Sequence, residues 1–199
     1  MRTVTALVEE PRGRARIELD GVPWRTVPVT AAVAAGLRVG IRLDRERARD
    51  LARALRRAKA FDTAGRALAR RDRSRADLAA RLERRGIAPG ATAETVDAFE
   101  RLGFVDDTRL ARSRARLLAD RGYGNDAIRF DLERQGIPEH EAAEAITALD
   151  PEEMRARTVV AAAPDGLKAV RRLSARGFSD DVVAASLEAL QAGALSELD

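Results

Sequence analysis

Arginine supplies almost all the positive charge of this chain: of 36 Lys/Arg residues only Lys59 and Lys168 are lysines. A guanidinium presents planar, bidentate donors that suit phosphates and carboxylates. Its spacing therefore decides what it can bind. Arg109, Arg112 and Arg116 fall at i, i+3 and i+7 of the segment Thr108–Arg121, which places them in one row along a helix. Arg114 and Arg121, seven apart, form a second row. Leu110, Ala111, Ala115, Leu117 and Leu118 supply the apolar side of the same helix. Such a row matches a polyanion or an acidic protein groove; it is equally what a solvated face pairing with Asp120 or Glu133 would show. Arg70, Arg71, Arg73 and Arg75 gather at a helix start, where positive charge opposes the helix dipole. Binding would offset that cost, as would Asp72 and Asp77. Tyr123, between two glycines, either pins a helix turn or stacks on a partner. Arg129 and Arg134 on the next predicted helix complete the candidate set.

The chemistry of catalysis is poorly represented. There is no Cys and a single His, His140, which excludes disulfides, a Cys nucleophile and thiolate or multi-histidine metal sites. Asp106-Asp107 stands just before a helix, where adjacent carboxylates cap the positive end more often than they hold a metal. Ser74 and Ser113 have no evident base nearby, and no Gly-x-x-x-x-Gly-Lys-Ser/Thr loop cradles a phosphate. The chain is read as non-enzymatic, with no metal and no cofactor.

Charge is unevenly spread. Residues 1–61 carry a net +7, residues 62–136 a net +3 and residues 137–199 a net −6, which together give the overall +4. A basic front suggests a polyanion near one end. The arginine and alanine bias is also what a GC-rich genome produces. No stretch reaches the ~20 apolar residues that span a bilayer, and no long apolar run follows Met1-Arg2-Thr3-Val4. A soluble protein of the bacterial cytoplasm, without a signal peptide, is the expectation.

The elements that must position these side chains are mostly helices. With 45% hydrophobic but only 4% aromatic residues, the core relies on Ala and Leu, both strong helix formers. The exception is residues 1–29. Thr3–Val8 and Ala15–Leu19 read as strands, Asp20-Gly21 as a turn, and Trp24–Val29 as a third strand. Pro23 and Pro28 favour an edge, since neither can donate to a ladder. Thr30–Ala35 predicts a short helix stopped by Gly36, and Asp44 caps a long one that runs to Arg71 or breaks near Phe61-Asp62-Thr63.

Beyond it a repeat emerges. Leu82-Glu83-Arg84-Arg85-Gly86-Ile87 matches Leu132-Glu133-Arg134-Gln135-Gly136-Ile137, with a weaker copy in Leu173-Ser174-Ala175-Arg176-Gly177-Phe178. Each is a helix stop: a glycine in the left-handed conformation, then an apolar residue that folds back on the last turn. Ser74 with Asp77, Asn125, Asp165 and Ser179 are candidate caps for the repeat helices. Further helices follow the stops, lined by Val96, Phe99 and Leu102, by Ile146 and Leu149, and by Val183, Leu187 and Leu190. The predicted fold is mainly α: elongated tandem three-helix, helix-turn-helix-like repeats behind a small N-terminal antiparallel β element. The expected segments are 1–43 (β element), 44–106 (long helix and first repeat), 107–150 (second repeat) and 151–199 (third repeat). The alternative is one compact helical domain.

Three blocks in this region resemble the RecX family. Ala69-Arg70-Arg71-Asp72-Arg73-Ser74-Arg75-Ala76-Asp77-Leu78 is similar to the opening of its first repeat. Gly103-Phe104-Val105-Asp106-Asp107-Thr108-Arg109-Leu110-Ala111 resembles the family's Gly-Tyr-Leu-Asp-Asp-x-Arg-Tyr/Phe-Ala segment. Arg121-Gly122-Tyr123-Gly124, followed by Ile128, Leu132 and Gly136-Ile137, resembles its Lys-Gly-Tyr-Gly…Ile…Leu…Lys-Gly-Ile block. The similarity is sharp over about residues 69–137 and diffuse elsewhere. Phe104 and Leu110 stand where Tyr or Phe is usual, Phe130 where a polar residue is more common, and Arg121 where Lys usually precedes Gly-Tyr-Gly. The apolar stretch 158–166 ends in a break, so a short first helix is expected in the third repeat.

The resemblance implies a monomeric regulator, not an enzyme, that lies in the groove of the RecA–DNA filament and inhibits its ATPase, strand-exchange and co-protease activities. It also implies contact with single- or double-stranded DNA through backbone phosphates. A sequence-independent DNA-binding module or helix-turn-helix transcription regulator is the alternative, although the scarcity of Asn and Gln favours phosphate contact over base readout. A protein-binding scaffold is a third possibility.

Overall fold

The computed structural model describes residues 2–163 and 165–196. It is mostly helical, with one small sheet at the N-terminus. By its internal contacts the chain divides into two compact units. The first comprises residues 1–71 and 78–101, the second residues 72–77 and 102–199.

The first unit begins with β1 (Arg2–Glu10), β2 (Arg14–Leu19) and β3 (Val22–Pro28), antiparallel and joined by tight turns. Asp20 and Gly21 both have positive φ, +52° and +80°, as a two-residue hairpin turn requires. On β2, Ala15, Ile17 and Leu19 are buried and alternate with half-exposed Arg16 and Glu18, so one sheet face is core. β3 is an edge strand, which accommodates Pro23 and Pro28. A fourth strand, β4 (Arg42–Leu43), pairs with Arg2 and Thr3 on the other side of β1. At two residues it carries no periodicity, and the sequence pattern does not reveal it.

Between β3 and β4, α1 (Val29–Ala34) stops at Gly36, whose φ is +62°. Ala32, Ala35, Leu37 and, from the following long helix, Leu51 close the core over Val4, Ile17, Leu19 and Val27. That helix, α2 (Arg45–Leu68), is capped by Asp44, which accepts the Arg47 amide at 2.8 Å. It runs without a break through Phe61–Thr63. Phe61 packs on Phe99 of α4 (Pro89–Arg101), ring centroids 5.5 Å apart, and this contact holds the helix where its local sequence is weakest. Between them α3 (Arg75–Arg84) buries Leu78 and Leu82 completely.

The second unit contains α5 (Asp107–Asp120), α6 (Asn125–Arg134), α7 (Glu139–Thr147), α8 (Glu152–Ala161), α9 (Gly166–Ala175) and α10 (Asp180–Ser196). These form two consecutive three-helix groups. Ala111 and Ala115 of α5 pack with Ile128, Leu132, Ile137, Ala142 and Ala145 in one core. Ala156, Leu173, Phe178 and Val182 form the other. α8 ends at Ala161 and is short, as the break in 158–166 implied.

All three predicted helix stops share one geometry. The glycine has φ +73°, at Gly86, Gly136 and Gly177. The next amide returns to the carbonyl five residues back at 3.1 Å: Ile87 to Leu82, Ile137 to Leu132, Phe178 to Leu173. The glycine amide donates three residues back in each case, completing a Schellman motif. The latching side chains Ile87, Ile137 and Phe178 are buried.

Some local expectations are corrected. Asn125 is the first residue of α6, not its cap; Gly124 occupies the cap, and the Asn125 carboxamide oxygen instead takes a bond from Arg155. Leu117 and Leu102 are exposed, because the neighbouring helices cover only the Ala111–Ala115–Leu118 side of α5 and the Val96 side of α4. On α10 Val182 is buried, while Leu187 is exposed. Ser179 stands immediately before α10 as expected: its carbonyl accepts the Val183 amide at 3.0 Å, and its hydroxyl donates to Glu152 at 2.9 Å.

Candidate functional site

The α5 helix is positioned from its first turn. Asp106 caps it by accepting the Arg109 amide at 2.8 Å. Asp107 turns inward, is nearly buried, and accepts the Arg75 amide at 2.9 Å, so it serves the first turn of α3. Segment 72–77 is thereby held inside the second unit. The Ser74 hydroxyl accepts the Asp77 amide at 3.0 Å and donates to the Gln135 carbonyl.

With Ala111 and Ala115 locked into the core, Arg109, Arg112 and Arg116 necessarily face outward. The row spans about 10 Å of helix axis at 1.5 Å per residue. Arg109 donates to the Gly103 carbonyl at 3.1 Å and lies 3.6 Å from Asp106. Arg112 and Arg116 have no hydrogen-bond or ion-pair partner among the described residues; neither Asp120 nor Glu133 neutralises them.

Arg114 differs from its neighbours. It grips Asp131 of α6 through two donors, one of them at 2.9 Å. That hydrogen-bonded pairing raises its pKa further above the ordinary arginine value. It joins two helices of one group and is held there. Arg121 is exposed, and its carbonyl accepts from Arg176 at 3.3 Å. Tyr123 pins the turn after α5 through its backbone: its amide donates to Leu118 at 3.1 Å and its carbonyl accepts from Arg155 at 2.9 Å. Its ring is left 39% exposed.

On α6, Arg129 lies 3.2 Å from Asp126 and 3.7 Å from Glu139. Such exposed pairs contribute about 0–1 kcal/mol and yield readily to a better partner. Arg134 sits over the Phe130 ring at 5.8 Å, and that ring is 61% exposed. Arg71 is exposed, with contacts of its own. Arg73 is buried and ion-paired with Asp77, so it supports the α3 start from within. Arg75 contributes its amide to Asp107.

Arg116 and Arg121 also line a cleft of about 700 Å³, together with Asp120, Asp150, Arg155 and Arg176. Arg155 and Arg176 carry no helical-row signal in the sequence, and only the fold brings them to the others. Burial lowers the Arg155 pKa, partly opposed by Glu152 and Asp150. Its guanidinium is spent on the Asp150 and Tyr123 carbonyls and on Asn125. Among the described residues no group of three or more His, Cys, Asp or Glu could hold a metal ion. No helix among them is long and apolar enough to cross a membrane.

Three-helix units closed by glycine latches, behind a small antiparallel sheet, define a helical repeat protein. Residues 106–146 match the model of the second three-helix domain of RecX. A regulatory protein RecX from Halorhodospira halophila is 32% identical over 138 residues, covering 64% of this chain and 86% of that protein. Its counterpart from Chromohalobacter salexigens is 40% identical over 91 residues, 46% of this chain but only 60% of the relative's length. The fold is that of a crystal structure of regulatory protein RecX, with TM-score 0.78 and 21% identity over 94% of this chain and all of that one. RecX from Lactobacillus salivarius superposes with TM-score 0.59 and 19% identity over 68% of this chain and 97% of that one. The chain belongs to the RecX family of regulatory proteins.

Proposed function

We propose that this protein binds the RecA–DNA filament in its groove and restrains the filament's ATPase, strand-exchange and co-protease activities. In this reading segments 44–106, 107–150 and 151–199 act as successive binding units of a monomer in the cytoplasm, and DNA is touched through its phosphates. Membership of the RecX family supports the recombinase as partner. The observation that carries the reading is the pair Arg112 and Arg116, exposed, unpaired among the described residues, and fixed on a helix whose opposite side is locked in a core. Two unneutralised guanidiniums on a rigid support meet carboxylates or phosphates with little entropy left to lose. Arg71, Arg75, Arg109, Arg121, Arg129, Arg134 and Tyr123 are further contact residues in this reading; Arg73 and Arg114, also read as contacts from the sequence, are ion-paired with Asp77 and Asp131.

The test is RecA ATPase on single-stranded DNA with substoichiometric protein, read alongside filament length. A reduced rate and shorter filaments are expected. Unchanged rate and length would overturn the proposal, and tight binding to one particular duplex sequence would favour a transcription regulator instead.

A further inference from the structure

The cleft at the C-terminal end of α5 presents three kinds of surface that one occupant must satisfy together. Arg116, Arg121 and Arg176 line it as cations, Asp120 and Asp150 as anions, and half-buried Leu149 and Val159 as hydrocarbon. Among the described residues none of these three arginines has an ion-pair partner, and neither aspartate has one. The volume of about 700 Å³ lies inside the roughly 300–1,000 Å³ typical of pockets that enclose ligands.

Arg176 is drawn to this place by the backbone of the α5 turn. Its Nη1 donates to the Arg121 and Gly122 carbonyls at 3.3 and 3.4 Å, across 55 and 54 residues. Gly122, with φ +76°, leaves the room: a Cβ there would lie 2.6 Å from the same nitrogen. Nε and Nη2 of Arg176 have no hydrogen bond among the described residues. Arg155 is committed to two carbonyls and to Asn125, so it shapes the cleft and offers no free charge.

This mixture of groups separates the ligand classes. A phosphate backbone brings an anion at every step, no main-chain N–H and no hydrocarbon side chain. Two uncommitted aspartates would repel it. A peptide brings carboxylates at some positions, apolar side chains at others, and amides that donate throughout. Each has its counterpart in the cleft. Guanidiniums take carboxylates in bidentate pairs, and such pairs strengthen where water is partly excluded.

We infer that the cleft receives a short acidic and apolar peptide segment of a protein partner. Its Asp or Glu side chains pair with Arg116, Arg121 and Arg176, a Leu- or Phe-type side chain covers Leu149 and Val159, and its amides donate to Asp120 and Asp150. The cleft continues the α5 surface, so its occupant rests on the reading of that surface as a binding face.

The experiment selects peptides from a random heptapeptide library on the immobilised full chain. The enriched peptide is then labelled and its affinity measured by fluorescence anisotropy, with an oligothymidylate as competitor. Enriched peptides are expected to carry Asp or Glu beside Leu or Phe. Arg121→Glu and Arg176→Gln should each weaken binding about tenfold or more. Arg121→Glu should leave the melting temperature unchanged, since its side chain is exposed and unpaired among the described residues, and so keeps the test sound if Arg176→Gln loosens the turn. No enrichment, enrichment of basic or uncharged peptides, unchanged affinity in Arg121→Glu, or displacement by the oligonucleotide would each overturn the inference. RecA ATPase measured with the same protein separates the two proposals. Inhibition without peptide binding sinks this inference alone, and peptide binding without inhibition sinks the filament proposal alone.

Discussion

The Asp107 carboxylate accepts the backbone amide of Arg75 at 2.9 Å, a contact between helix starts 32 residues apart. The arrangement recurs at Glu152, also nearly buried, which accepts the Asn125 amide at 2.5 Å and takes the Ser179 hydroxyl as well. Asp107 opens α5 and Glu152 opens α8, so each acid lies in the positive field of its own helix. Each also satisfies an orphan amide in the first turn of another helix. The hydrogen bonds and the dipoles together explain why these two carboxylates can be buried.

Asp107→Ala should therefore cost about 1–3 kcal/mol, because it leaves the Arg75 amide without an acceptor. Asp107→Asn should cost less, since an oxygen remains. Urea unfolding of the three proteins checks the order, and equal stability of wild type and Asp107→Ala would refute it.

The glycine turns predict a ranking. At Gly86 an added Cβ meets open space, so Gly86→Ala suffers only from the positive φ, about 1 kcal/mol. At Gly136 the same atom would lie 2.7 Å from the Ala76 Cβ, and at Gly177 2.5 Å from the Ala127 amide. Gly124 does not have positive φ, yet its Cβ would overlap the Gly177 carbonyl oxygen. Gly124→Ala and Gly177→Ala should destabilise more than Gly86→Ala in thermal melts.

The arginines of α5 should separate by role. If the chain restrains RecA as proposed, Arg112→Ala with Arg116→Ala should lower inhibition of RecA ATPase while leaving the melting temperature within a degree or two, as exposed substitutions change stability by about 0.5 kcal/mol or less. Arg114→Ala should lower the melting temperature, because Asp131 loses its partner. Parallel loss of activity and stability in the double variant would mark its residues as structural.

The caps predict an acid response. The Asp44 carboxyl is held below its ordinary value of 3.8, chiefly by the Arg47 amide, and Asp165 likewise by the Lys168 amide. A depressed folded-state pKa contributes stability that is present above the unfolded value and lost as pH falls through the folded one. Melting temperature should thus drop as pH is lowered below about 3.8. Asp44→Ala should show a smaller drop over that interval, and an unchanged acid limb would count against the cap.

Much of the architecture was legible because it closes over short distances. The caps at Asp44, Ser74, Asp106 and Asp165 each satisfy an amide three residues on. The latches at Ile87, Ile137 and Phe178 reach back five residues. The candidate site was legible only as a row. That Arg109, Arg112 and Arg116 share a face follows from helical spacing, but which arginines stay uncommitted does not. Arg114 meets Asp131 across 17 residues, and Arg73 is drawn inside beside Asp77 although a sequence cluster places it with surface cations. Asn125 looked like a cap and is not, because Gly124 must approach Gly177 too closely for any side chain.

By itself the sequence determined the helix stops, most caps, the N-terminal hairpins and the family to which the chain belongs, since these rest on residue type and on bonds within a turn. The tertiary structure alone decided that Asp107 and Glu152 are buried acceptors, that Arg112 and Arg116 remain exposed and, among the described residues, unpaired, and that Arg155 and Arg176 join Arg116 and Arg121 around one cleft. Those outcomes depend on which helix face a distant element covers. Covering a face removes water, and removal of water determines whether a charge must find a partner or is left free to bind one.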